Sequence, residues 1–243
     1  MATDTEGYRQ SHMHKGSDYH ADFTELPRRA LLWRIEKRFL SDIVQRFLPG
    51  RRIAHLDFAC GTGRILAHLA NDVGASTGID ISASMLKVAR SNAPNAEFFE
   101  ADVTRGNVLG DRQFDLITAF RFFPNAEPNL RSDVIRALAP HLNPDGILVF
   151  NNHRNDSCLS YSLRRLVRLG RGGPRGMSQE EVHELLDSVG LGVRKVYNAG
   201  IVPEGENYPF WPRFWISWVE NLASRLPIAR WSEDLLYVCG KTV

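Results

Sequence analysis

Between Leu56 and Arg64 the chain reads LDFACGTGR, a short apolar run that turns sharply at Gly61 and Gly63. Glycine at these two points allows backbone conformations, and a close ligand approach, that a side chain would forbid. Two carboxylates follow at informative distances. Asp80 closes the run STGID twenty-three residues after Asp57, where a carboxylate can accept both hydroxyls of a ribose. Asp102 follows a third run, AEFFE, by two residues, and an acceptor there suits the exocyclic amino group of an adenine. Glycine loop, ribose acid and adenine acid in this order describe an adenosine site. A dinucleotide-binding G-x-G-x-x-G would want glycine at Leu66, and no Gly-Lys-Ser/Thr of a P-loop follows. A nicotinamide oxidoreductase is therefore a third-ranked reading.

The elements that must hold these residues are visible as a rhythm. IAHLDF (53 to 58), STGID (76 to 80), AEFFE (96 to 100), FDLITAF (114 to 120) and GILVF (146 to 150) alternate with helical periodicity over Ile65 to Val73, Met85 to Ala93 and Leu130 to Leu142. That pattern predicts βα units on a parallel sheet, whose ligands bind beyond the carboxyl ends of the strands. Ser82 is placed to cap the second helix, and Pro144-Asp145-Gly146 reads as a tight turn into the fifth strand. Upstream, Leu31, Leu32, Ile35, Phe39, Ile43, Val44 and Phe47 predict a helix from Leu26 that Pro49-Gly50 ends. Residues 1 to 25 hold no apolar period and read as an arm. Downstream, Ser178 and Glu181 have capping-box spacing ahead of Val182, Leu185, Leu186 and Val189, and GVRKVYNAG and LLYVCG read as strands.

LDFACGTGR, GIDIS, EADV and FDLITAF together resemble the four successive motifs of class I S-adenosylmethionine-dependent methyltransferases, over about residues 52 to 152. The resemblance implies an α/β fold: a Rossmann-like, doubly wound, mostly parallel seven-stranded sheet with an antiparallel last hairpin and helices on both faces. The pattern along the chain divides it into an N-terminal arm and lid helix (1–50) and a core (51–243), with a substrate-side insertion at about 154–178 and an aromatic insertion at about 203–230. Asp57, Ala59, Cys60, Gly61 and Gly63 would surround the methionine part of the cofactor. Asp80 would hold the ribose, Ile81 and Met85 would flank the adenosine, and Asp102 with Val103 would hold adenine. Phe120 and Arg121 would close the pocket. From the arm, Tyr19 and Phe23 are candidates for a lid over the cofactor. The family usually has glycine where this chain has Ala59, and alanine is tolerable there only with negative φ.

Methyl transfer from a sulfonium is an in-line displacement that asks mainly for alignment and exclusion of water. A hydroxyl acceptor would add a general base, for which His153 in FNNHRND is the candidate. Asn151 and Asn152 are alternative polar contacts; His12, His14 and His20 belong to the arm. The expected reaction consumes S-adenosyl-L-methionine, releases S-adenosyl-L-homocysteine and methylates a small molecule at oxygen, on a hydroxyl or carboxylate of a metabolite, sugar or lipid-linked acceptor. An RNA-modifying methyltransferase and a non-catalytic nucleoside-binding module are the alternatives.

AFRFFPN lacks the (Asp/Asn)-Pro-Pro-(Phe/Tyr) tetrapeptide of amino-methylating nucleic-acid enzymes, which disfavours a nucleic-acid partner. Five arginines between 157 and 179 suit an anionic acceptor. Trp211, Trp215, Trp218 and Leu222 form one helical stripe with Phe210 and Phe214 beside it; buried, it is core or a lid over an apolar acceptor, and exposed it would suit peripheral membrane contact.

Composition agrees with an ordinary globular chain: 243 residues, 43% hydrophobic, 24% charged, with a formal net charge of +2. That charge is too slight to imply a nucleic-acid or membrane partner. Cys60, Cys158 and Cys239 form neither a disulfide framework nor a metal-ligand pattern, so no metal is expected and a reducing cytoplasm is the expected location. The first twenty residues lack a signal-peptide core, and no run of about 18 apolar residues occurs.

Overall fold

The computed structural model describes residues 27–153, 155, 158, 176–201, 212–223, 226 and 231–242. In chain order these form α1 (Pro27–Phe47), β1 (Ala54–Phe58), α2 (Arg64–Leu69), β2 (Ala75–Asp80), α3 (Ala83–Asn92), β3 (Glu97–Glu100), β4 (Phe114–Ala119), α4 (Pro128–Leu138), β5 (Leu142–Asn152), α5 (Gln179–Asp187), β6 (Leu191–Ala199), α6 (Arg213–Ala223) and β7 (Asp234–Lys241). Seven strands make one sheet in the order β3-β2-β1-β4-β5-β7-β6. The first five are parallel, while β7 runs antiparallel to both β5 and β6.

Strand alternation sends successive residues to opposite faces, and each face has its own apolar layer. Ile147, Val149, Leu236 and Val238 meet Ile35, Phe39, Leu40 and Ile43 of α1. Leu148, Phe150, Leu235 and Tyr237 meet Val134, Ile135 and Leu138 of α4 and Val182 and Leu186 of α5. Helices therefore cover both faces, as expected.

The local signals act as their chemistry predicts. Ser82 Oγ accepts the Met85 N–H at the start of α3. Ser178 and Glu181 make both bonds of the capping box, Ser178 N to Glu181 Oε2 at 2.7 Å and Glu181 N to Ser178 Oγ at 3.1 Å. Two boundaries differ. α2 ends at Leu69, short of the expected Val73. α4 stops at Leu138 and passes through a 3₁₀ turn, Ala139–His141, into β5. Pro140 removes a helical N–H, so the apolar period that suggested helix to Leu142 is cut short. Residues 144 to 146 then belong to β5 rather than to a turn before it.

The aromatic stretch differs more. Among the described side chains of α6, Ile216, Glu220 and Ala223 are buried, whereas Phe214 (79%), Trp218 (63%) and Leu222 (50%) are exposed. Glu220 Oε2 accepts the Gly200 N–H at 2.9 Å, and that bond turns the glutamate side of the helix inward. Trp215, Trp218 and Leu222 are thus neither core nor covered lid in this fold; Phe210 and Trp211 lie outside the described residues. So do Tyr19, Phe23 and the arm, and the arginines from Arg164 to Arg175. No helix among the described residues is long and apolar enough to cross a membrane.

Candidate active site

The chain leaves β1, builds β2 and β3 on one side, then crosses to β4 on the other. This reversal opens a crevice beyond the carboxyl ends of β1 and β4. A cleft of about 730 Å³, open mouth included, lies there. Ala59, Gly61, Asp80, Ile81, Met85, Asp102, Val103, Phe120 and Arg121 line it, with Phe58, Ala101, Phe122, Leu130 and Val134.

The glycine loop is held from beneath. Cys60 N–H donates to Ile79 O at 3.0 Å, and Gly61 N–H donates to Asp80 Oδ2 at 2.8 Å. Asp80 Oδ1 accepts the Ser82 N–H at 2.9 Å. The carboxylate ending β2 therefore pins the loop after β1 and opens the turn into α3. A carboxylate has about four acceptor sites, which suits sugar hydroxyls as well. Asp102 is similarly tied, its Oδ1 accepting the Thr104 N–H at 3.0 Å and the Thr104 hydroxyl at 2.7 Å.

Not every anticipated residue faces the cleft. A Cβ on Gly63 would come within 3.1 Å of the Ala89 Cβ, so this glycine serves the close approach of α2 to α3. Cys60 is buried, with its thiol pushed up by burial. Asp57 is buried below the loop, where its Oδ1 accepts the Thr118 hydroxyl at 2.6 Å. Thr118 has one proton to give, so the 2.8 Å contact between His55 Nε2 and Thr118 Oγ1 requires His55 Nε2 to donate. Burial lowers His55 to about 3 and raises Asp57 to about 7. Asp57 Oδ2 has no hydrogen-bond partner among the described residues.

Ala59 corrects the sequence reading: its φ is +52. The chain must fold back at once from β1 to present Gly61, and left-handed backbone achieves this at about 1 to 2 kcal/mol for a non-glycine residue. Alanine is accommodated with strain rather than by a negative φ. Arg121, φ +62, makes the matching turn after β4.

His153 lies in the bend after β5, half-buried and not among the cleft-lining residues. Nearby is a buried polar cluster that the motifs did not announce. Glu36 of α1, Asn151 of β5 and Asp234 of β7 are all fully buried, beside Arg64 and Arg121. Glu36 was visible in one respect: it falls midway between Leu32 and Leu40, on the apolar face of α1. Phe122, Leu130 and Val134, which wall the cleft, have no signal beyond ordinary apolar period.

An open apolar slot with an acid at its middle and another at its end fits a nucleoside. Sheet order and cleft are arranged as in the class I S-adenosylmethionine-dependent methyltransferase fold. Residues 56–146 match the family described as methyltransferase domain. The chain is 33% identical over 146 residues to dTDP-3-amino-3,6-dideoxy-α-D-glucopyranose N,N-dimethyltransferase of Streptomyces fradiae, covering 59% of this chain and 51% of that one. It is 25% identical over 199 residues to dTDP-3-amino-3,4,6-trideoxy-α-D-glucopyranose N,N-dimethyltransferase of Streptomyces venezuelae, covering 77% of each. The first match thus spans about half the relative's length. Among solved structures, magnesium protoporphyrin IX methyltransferase from Synechocystis PCC 6803 with bound S-adenosylhomocysteine superposes with TM-score 0.65 at 12% identity, covering 96% and 98% of the two chains; this likeness is one of fold.

Proposed function

We propose that the protein transfers a methyl group from S-adenosylmethionine to the amino group of a small nucleotide-linked sugar. Bound in the cleft, the cofactor supplies an electrophilic methyl on a sulfonium, and the chain's task is to hold the two partners in line and dry. The observation that carries the cofactor reading is the Asp80 carboxylate, fixed by the Gly61 and Ser82 N–H groups in the floor of the cleft. In this reading Asp80 takes the ribose hydroxyls, Ile81 and Met85 flank the adenosine, and Asp102 and Val103 take the adenine. Ala59 and Gly61 line the amino-acid end, while Asp57 and Cys60, buried behind the loop, support it from beneath. Gly63 contributes through helix packing. The acceptor reading draws on the two sugar N,N-dimethyltransferases. Packing of α1 across the sheet supports taking residues 1–50 as arm and covering helix and 51–243 as core.

A second reading, methylation at oxygen, rests on His153, whose place just past β5 suits a general base. The test is mass-spectrometric product formation with a dTDP-linked 3-amino-deoxyglucose and with its 3-hydroxy counterpart. Mono- and dimethylated amine from the first supports the proposal. Turnover of the second alone, lost by about 10² or more in kcat in His153→Ala with unchanged cofactor affinity, would replace nitrogen by oxygen. Tight cofactor binding without product from either acceptor would leave the acceptor proposal unsupported and favour a binding module.

A further inference from the structure

On its outward side α1 borders a second hollow, about 810 Å³ with its open mouth included, lined by Arg34, Lys37, Arg38, Ser41 and Gln45 and by His68 of α2. It shares no lining residue with the cleft described above. The two also belong to different apolar layers of the sheet: Ile35, Phe39 and Leu40 of α1 pack in one, and the cleft walls Phe58, Phe122, Leu130 and Val134 in the other.

Over residues 27–41 α1 carries five bases, Arg28, Arg29, Arg34, Lys37 and Arg38, against one acid, Glu36. Glu36 is buried and takes Arg64 at 3.2 Å, so it does not neutralise the outward cations. Positive charge in the N-terminal half of a helix opposes its macrodipole, and like charges three or four positions apart repel. Arg34 and Lys37 have no carboxylate three or four positions away to offset this. Helix stability gives no reason for the arrangement; an anion in the hollow does.

The walls of the hollow are fixed by neighbours. Arg64 and Lys37 lie 4.4 and 5.7 Å from the Trp33 ring centroid, and the His68 ring meets the same indole edge-on at 6.0 Å. A carbonyl only accepts, so His68 Nε2 donates to Lys37 O at 2.9 Å. Ser41 Oγ, 3.2 Å from that nitrogen, therefore keeps its own O–H for another acceptor. Asp42, the acid of the lining, accepts the Tyr197 hydroxyl. Arg34, Lys37 and Arg38 fall within about one helical turn, roughly 6 Å along the axis, and beyond them the stripe turns neutral at Ser41 and Gln45. An acidic helix or a nucleic-acid strand calls for cations along the whole stripe. A compact dianion with a hydrogen-bonding body beside it fits three cations at one end and two neutral polar groups at the other.

We infer that this hollow is a second binding site, separate from the cofactor cleft, for a phosphorylated small molecule, with the phosphate at Arg34, Lys37 and Arg38 and the polar body toward Ser41 and Gln45. The inference is independent of the cofactor and acceptor readings. Phosphorus NMR line broadening and calorimetry test it with pyrophosphate and ribose 5-phosphate, and with ribose as the uncharged control. Both phosphates should bind the wild-type protein with Kd below about 10 mM, and ribose should not. Arg34→Gln/Lys37→Gln should weaken both phosphates about 10-fold or more, while S-adenosylhomocysteine affinity stays within about twofold. Gln45→Leu should weaken ribose 5-phosphate and spare pyrophosphate. Failure of both phosphates to bind wild type, unchanged affinity in the double variant, or an equal loss of S-adenosylhomocysteine in it overturns the inference. Binding of a short single-stranded RNA that the double variant abolishes, with no binding of either small phosphate, overturns it in favour of a nucleic-acid surface.

Discussion

Asp80 does two jobs at once, and replacing it separates them. Its two oxygens receive backbone N–H groups at 2.8 and 2.9 Å, so the side chain organises the loop whether or not a ligand is present. A hydrogen bond to a charged group contributes about 1.5 to 3 kcal/mol, against about 1 for a neutral one. Asp80→Ala removes the charged acceptor from the ribose and should weaken S-adenosylhomocysteine binding by about 1 to 3 kcal/mol, roughly 5- to 150-fold in Kd. Asp80→Asn keeps the shape and one acceptor oxygen, so its loss should fall in the lower half of that range. The loop N–H groups also lose a partner, which predicts a fall of a few degrees in Tm for a chain of this size. Titration calorimetry at a temperature well below both transitions measures the first effect, and thermal unfolding without ligand measures the second. A Kd for Asp80→Ala within twofold of wild type would refute the reasoning, because no other carboxylate lines that part of the cleft among the described residues.

Three further outcomes follow from the same geometry. Ala59→Gly relieves a left-handed residue at φ +52 but loosens the unfolded chain, so denaturant unfolding should show a net gain of about 0.5 to 1 kcal/mol; a loss would mean that the methyl group packs usefully. The Asp57 carboxyl is raised to about 7, so between about pH 4 and pH 7 the native state holds a proton that the unfolded chain has released, and this group lowers stability as pH rises through that window. Unfolding free energy of Asp57→Asn should therefore climb more steeply from pH 4 to pH 7 than that of wild type; parallel curves would contradict the raised value. Glu220→Ala strands the Gly200 N–H and should destabilise by about 1 to 3 kcal/mol, whereas Trp218→Ser on the exposed side of α6 should change stability by less than about 0.5 kcal/mol. The reverse order would mean that the aromatic face is covered in solution.

Much of the site was legible because it is local. Gly61, Asp80 and Asp102 sit at strand ends whose period-two and helical patterns are written in consecutive residues, and capping by Ser82 and Ser178 depends on neighbours three positions away. What the sequence by itself determined was therefore the alternation of strands and helices, the cleft at their carboxyl ends and the residues on its floor. The tertiary structure decided what depends on groups distant in the chain. Glu36 and Asn151, 115 positions apart, share a buried hydrogen bond; Ala59 takes a positive φ because the path from β1 to the loop demands it; and α6 turns Glu220 inward because Gly200 offers an N–H there. Burial, charge neutralisation and backbone strain are properties of the assembled fold, and a residue's type and spacing do not disclose which partner the packing will bring to it.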